Sequence, residues 1–264
     1  MRDPRLMADL TWEEFRDRAA TSLVLLPLGA VEQHGPQLPL DTDTVIPTAL
    51  CLALADRLPA IVAPSFAYGY KSQPNTGRGI SFPGTTSFDG ATFSACVRDI
   101  VRDLVRQGVR SIALVNGNYE NTYFAIEGID LGLRDSGSPA EVKVLHVNWW
   151  EQLTPAQLDD VFSGGFPGWE AEHAGVVETS LMMHLDPDRV EADRIPAPKR
   201  MPLPTYTILP EPAGIVPGSG VLASAEGSSA AIGASLTTHL VDSIEAILVK
   251  EFDGRGQPAS LPSR

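Results

Sequence analysis

The chain has 264 residues, with 20 basic against 33 acidic side chains, a net charge of −13 and a sequence pI near 4.7. That balance opposes a phosphate-backbone or anionic-lipid partner and so excludes nucleic acid and membrane surfaces as first readings. A hydrophobic share of 43%, a charged share of 20% and a mean hydropathy of −0.01 fit a globular chain with a sizeable core, expected as one domain over residues 1–264.

Residues 1–10 are charged and lack an apolar signal segment, and no later run reads as a membrane span, so a reduced, cytoplasmic setting is expected. Thr11 with Glu14 three residues on is a capping box and predicts a short helix to about Arg18. Ser22 to Gly29 is a continuous apolar run closed by glycine, the pattern of a strand buried on both faces of a parallel sheet. Similar runs recur at Ala60 to Pro64, Ser111 to Asn116 and Val142 to Val147. Between them the spacing predicts helices over about Asp43 to Arg57, broken early by Pro47, over Ser87 to Gln107 with Gly108 as its stop, and over Tyr119 to Arg134. Cys51 and Cys96 fall inside these helices and read as buried free thiols.

This alternation predicts an α/β fold, a mostly parallel sheet flanked by helices, with the ligand site beyond the carboxyl ends of the strands. The stretch Ile195 to Gly220 is crowded with proline, too restricted for helix and short of ladder donors. It reads as an ordered arm wrapping its own or a neighbouring subunit, which favours a homo-oligomer. One helix from Ser229 to Phe252 and a loose tail from Gly254 follow.

Three polar clusters sit where the predicted strands end or a helix opens. After the first strand come Glu32 and His34, then Asp41 and Asp43; in extended chain each pair would point to one side. After Ser111 to Asn116 come Asn118, Tyr119 and Glu120. The third is Trp169-Glu170-Ala171-Glu172-His173, ahead of an amphipathic helix with Val176, Val177 and Leu181. Taken alone, the first also reads as a polar turn with a solvated acidic pair, and His173 as an exposed polar residue beside a helix start.

Together, Glu32-Gln33-His34-Gly35, Asp43, Tyr68 to Gln73, Phe82 to Thr86, Asn121, Glu127 to Leu131 and Gly168 to His173 resemble the creatininase family, over nearly the whole chain. Within it they resemble the amidohydrolase branch more than the formamide-deformylase or peptide-processing branches. The resemblance implies a three-layer α/β sandwich assembled as a homohexamer, opening the ring of a small cyclic amide such as creatinine or a related lactam or cyclic guanidine. It implies two metals, zinc or manganese, sharing an aspartate: Glu32 and Asp43 on the first, and His34, Asp43 and Glu120 on the second. A hydroxide bridging two such cations would be the nucleophile. By the same resemblance His173 is the proton-shuttling residue. Trp150 and Trp169 cover the planar substrate, and Thr76, Tyr119 and Glu170 lie at its contacts.

One position departs from that pattern. The family reads Gly-His-Tyr-Glu-Asn where this chain has Gly117-Asn118-Tyr119-Glu120-Asn121, so Asn118 stands in for the histidine that completes the first metal site. A neutral amide oxygen is a weaker zinc ligand than imidazole, and Asp41 is a candidate compensating carboxylate. Three readings stay open: a two-metal amidohydrolase with altered metal or substrate preference, a binder of the ring compound disabled for catalysis, and a one-metal enzyme running ring closure in a biosynthetic direction.

Overall fold

The computed structural model describes residues 2–73, 76, 79–162, 164–197, 206, 208–209 and 218–252. Four parallel strands form one sheet: β1 (Leu23–Leu28), β2 (Ala60–Val62), β3 (Ser111–Asn116) and β4 (Lys143–Asn148), in the order β2-β1-β3-β4. β1 and β3 run in register over six residues, from Leu23 opposite Ser111 to Leu28 opposite Asn116. Each predicted strand is present, shifted by at most a few residues at its ends.

Both faces of the sheet are covered, and the alternation along β1 shows how. Leu23 and Leu25 join a core with α2 (Thr42–Ala55), α6 (Val176–Leu185) and α7 (Ala230–Phe252). Val24, Leu26 and Leu28 join another with α1 (Trp12–Ala19), α3 (Gly90–Arg106) and α4 (Thr122–Asp135). β3 divides the same way, with Ala113 and Val115 on one side and Ile112 and Leu114 on the other. A strand buried on both sides has no polar register, which is why these runs are continuously apolar. The result is the expected three-layer sandwich.

Local chemistry sets the helix ends. The Thr11 hydroxyl accepts from the Glu14 amide and the Glu14 carboxylate accepts from the Thr11 amide, completing the predicted box. A second box, Thr154 with Gln157, opens α5 (Pro155–Val161). The helix expected from Tyr119 opens instead with a 3-10 turn, Tyr119–Asn121, before α4. α6 also departs from expectation: Val176 to Met182 are all buried, so its first turns are enclosed on every side rather than amphipathic. α7 is long and apolar enough by length and composition to cross a membrane, against the sequence reading. Its stripe Leu236, Leu240, Ile244 and Leu248 is instead packed in the core. Cys51 is buried and Cys96 half-buried, both without disulfide partners. Most of the proline-rich stretch and the tail from Gly254 lie outside the described residues.

The reversal of strand order falls between β1 and β3, where the crossovers leave toward opposite faces. Such a point opens a crevice at the carboxyl ends of the strands.

Candidate metal and substrate site

All three polar clusters converge on that crevice. Glu32, Asp43, Thr76, Asn118, Tyr119, Glu120, Trp150, Trp169, Glu170 and His173 line one pocket, and His34 lies buried beside Asp43. The loop after β1 carries Glu32 and His34, the first turn of α2 carries Asp43, the loop after β3 carries Asn118 and Glu120, and β4 runs directly into Trp149 and Trp150.

Two residues let the β3 loop reach Asp43. Pro47 has no amide hydrogen for the Asp43 carbonyl four residues earlier, so the helix leaves that carbonyl free. Gly117 lies directly against it, and a Cβ there would collide with the Asp43 oxygen and the Pro47 ring. The close approach places Asn118 among the carboxylates.

Asp43 uses its two oxygens differently. Oδ2 accepts from the Asn118 amide nitrogen at 2.8 Å, and the same nitrogen donates to Glu32 Oε2 at 3.1 Å. Oδ1 lies 2.9 Å from His34 Nε2, which is 3.8 Å from Glu178 Oε2. His34 Nδ1 is turned to the Glu32 carbonyl oxygen at 3.0 Å, leaving Nε2 aimed inward. The 2.9 Å approach to Asp43 is poorly directed, and Nε2 is buried without a hydrogen-bond partner. Glu172 Oε2 is likewise buried and unpartnered, and Glu172 and Glu178 both line the pocket.

Charge is concentrated where water is excluded. Burial pushes the Glu32 carboxyl up, opposed by His173 and reinforced by Asp43. Burial also raises Glu120, against the Thr76 hydroxyl and the Gln73 amide that donate to it. Glu172 is pushed up to about 8 by burial and by the charge of Glu178. For His34, burial works downward, but the carboxylates of Asp43 and Glu178 prevail and hold it well above the ordinary histidine range.

This chemistry suits a cation. Potential ligand atoms of His34, His173 and Glu178 lie within 4.8 Å of one another, and the orphaned His34 Nε2 points among buried carboxylates. His173 has a second property: its Nε2 lies 2.8 Å from both the Gln33 carbonyl oxygen and the Gln33 side-chain nitrogen. Protonated, that nitrogen donates to the carbonyl; unprotonated, it accepts from the amide. It therefore has a partner in either state, which suits a group that exchanges a proton.

Three sequence expectations meet a different geometry. Asp41 and Asp43 do not share a side, because α2 begins between them and a helix turns about 100° per residue. Asp43 points inward while Asp41 pairs with Arg189 at 2.8 Å, so Asp41 is not a compensating ligand. Glu120 does not lie beside His34: its carboxylate is held by Thr76 and Gln73, and Glu178 occupies the position next to His34. Sequence reasoning missed Glu178, although a lone carboxylate in the enclosed run Val176 to Met182 was a usable signal.

The pocket walls are aromatic. Trp149 packs edge-on against Trp150 and Trp169, with centroids 5.8 and 6.5 Å apart, and Tyr119 lies 6.1 Å from Trp150. The Tyr119 hydroxyl reaches Glu170 at 3.5 Å.

Residues 8–248 match the family model described as creatininase, creatinine amidohydrolase. The chain belongs to the creatininase family. With its creatinine amidohydrolase relative and creatininase structural neighbours, it is a hydrolase of carbon–nitrogen amide bonds. It is 41% identical to creatinine amidohydrolase of Pseudomonas putida over 93% of this chain and 96% of that one. It is 32% identical to the mycofactocin precursor peptide peptidase of Mycobacterium tuberculosis, over 83% and 81%. Among solved structures, a creatininase of the zinc–zinc type superposes with a TM-score of 0.90 at 40% identity, over 94% of this chain and 98% of that one. A manganese creatininase gives the same score and identity. The creatininase fold is thus shared with both of these solved structures, while the pairing of Asn118 with Glu32 and Asp43 is read from this chain alone.

Proposed function

We propose that this creatininase-family hydrolase opens the ring of a small cyclic amide, creatinine or a creatinine-like lactam or cyclic guanidine, with a divalent zinc or manganese ion held by His34, Asp43 and Glu178. The observation that carries this reading is the joining of an orphaned, buried imidazole nitrogen and two carboxylates to a pocket walled by Trp150, Trp169 and Tyr119. A flat ring fits between such walls, and their bulk disfavours an extended peptide. The 41% identity to a creatinine amidohydrolase, against 32% to the peptide peptidase, supports the same choice.

A bound divalent cation supplies Lewis acidity and lowers the pKa of water to near neutrality. The chain does the rest. Trp150 and Trp169 exclude water and orient the ring, with Tyr119, Thr76 and Glu170 at its edge. Glu120, raised by burial and lining the same pocket, takes a proton from the attacking water. His173, held in either protonation state by Gln33, gives a proton to the departing ring nitrogen and is recharged by the proton that Glu120 took from the attacking water. The family resemblance further supports a homohexamer acting on this small molecule.

Hydrolysis of creatinine and of a panel of lactams and cyclic guanidines, followed by proton NMR on protein reconstituted with zinc or manganese, tests the reading. Ring opening that is lost in His173→Asn is the expected result. No turnover of any cyclic amide, with cleavage of a peptide instead, would overturn it.

A further inference from the structure

The two sides of Asp43 differ in what they offer a metal. On the Glu178 side every inward group has a lone pair to give a metal once His34 is neutral: His34 Nε2, Asp43 Oδ1 and Glu178 Oε2. On the Glu32 side the inward atom of Asn118 is its amide nitrogen, a donor with no lone pair to give.

The orientation of that amide is set by its partners. Its oxygen accepts from the Glu120 backbone amide at 3.0 Å, capping the 3-10 turn, while its nitrogen faces two carboxylates. Turned over, the oxygen would oppose both carboxylates and the nitrogen would oppose an N–H, so the network admits one orientation. The backbone beneath is clamped: Asn116 Oδ1 accepts from the Asn118 amide at 3.2 Å and Asn116 Nδ2 donates to the Asn118 carbonyl at 2.8 Å. Asn116 itself is buried and bonded to Asn148 and Asn121. To ligate a metal through oxygen, Asn118 would have to give up its cap and both carboxylate bonds together.

Resting on the metal reading above, we infer that this chain holds a single metal: Asn118 occupies the first of the family's two metal positions, its amide nitrogen crosslinking Glu32 and Asp43 where a cation would otherwise do so. Asp43, expected to bridge two metals, bridges an amide and one metal.

The test counts metal and does not read activity. Metal-free protein is titrated with manganese(II), bound ions per chain are counted by mass spectrometry, and the loaded protein is examined by electron paramagnetic resonance. The wild type should bind one equivalent and show the six-line signal of an isolated ion. Asn118→His should bind two and show the broadened signal of a coupled pair. Asn118→Asp, which removes the donor and adds a carboxylate oxygen, should also bind two and serves if the histidine variant does not fold. Two equivalents in the wild type, none in the wild type, or one in wild type and folded variants alike would overturn the inference. Two equivalents in a wild type that still opens cyclic amides would leave the proposed function standing and remove only the single-metal reading.

Discussion

The Asn118 side and the Glu178 side of Asp43 are built from the same kinds of residue, buried within a few ångströms of each other, yet one is closed and the other open. On the closed side every inward polar atom of Asn118 has a partner. On the open side His34 Nε2 has none, and Glu172 Oε2 nearby is also unpartnered. Buried polar atoms left unpaired cost about 1–3 kcal/mol each. The open side therefore keeps unpartnered atoms that suit a cation, and the closed side is already satisfied by an amide. Two clusters of similar composition can thus have opposite roles, decided by whether the facing atom is a donor or a lone pair.

Breaking the closed side should have the largest effect on the metal-free protein. Asn118→Ala leaves Glu32 and Asp43 facing each other without a shared donor, and chemical denaturation of the metal-free form should show a loss of about 3–4 kcal/mol. Breaking the open side should act on metal more than on fold. Glu178→Gln should weaken manganese binding about 100-fold, or about 2.7 kcal/mol, measured by calorimetry, with a smaller change in the melting temperature of the metal-free chain.

A third measurement sharpens the contrast with a half-buried histidine that no carboxylate offsets. Burial holds His146, on β4, down to about 4, and its Nε2 has no partner. A base whose folded pKa is depressed adds stability above its unfolded value near 6.5, and that stability is lost as the pH falls through about 4. Stability should decline across this window, and His146→Leu should flatten the decline by about 2 kcal/mol in denaturation series between pH 7 and pH 4. If the decline is unchanged, burial is not what sets His146 apart from His34. The smallest effect should come from Arg189→Ala. The Asp41–Arg189 pair is exposed, so its loss should cost no more than about 1 kcal/mol and leave metal stoichiometry unchanged.

Much of this arrangement is legible in the sequence, and the reasons lie in particular residues. The runs Leu23–Leu28 and Ser111–Asn116 read as central strands because both their faces are apolar. Glu32, His34, Asn118 and His173 stand out because polar residues follow strand ends or precede a helix, where backbone geometry brings them together. Glu178 was hidden by distance along the chain and by a helix that looked amphipathic but is enclosed. Asp41 misled because a two-residue spacing means one thing in extended chain and the reverse at a helix start. Pro47 and Gly117 looked like ordinary breakers, and only their contact shows that they bring Asn118 to Asp43.

The sequence by itself determined the α/β alternation, the buried parallel strands and the location of the polar clusters at strand ends. These are local properties, carried by periodicity and by residue type. Which atom of Asn118 faces the carboxylates, which carboxylate stands beside His34, and which aspartate turns outward were decided by the tertiary structure alone. Each depends on partners 75 to 148 residues away in the chain, brought close by the crossovers of the sheet. Donor or acceptor is not a property of an asparagine until the fold supplies its neighbours.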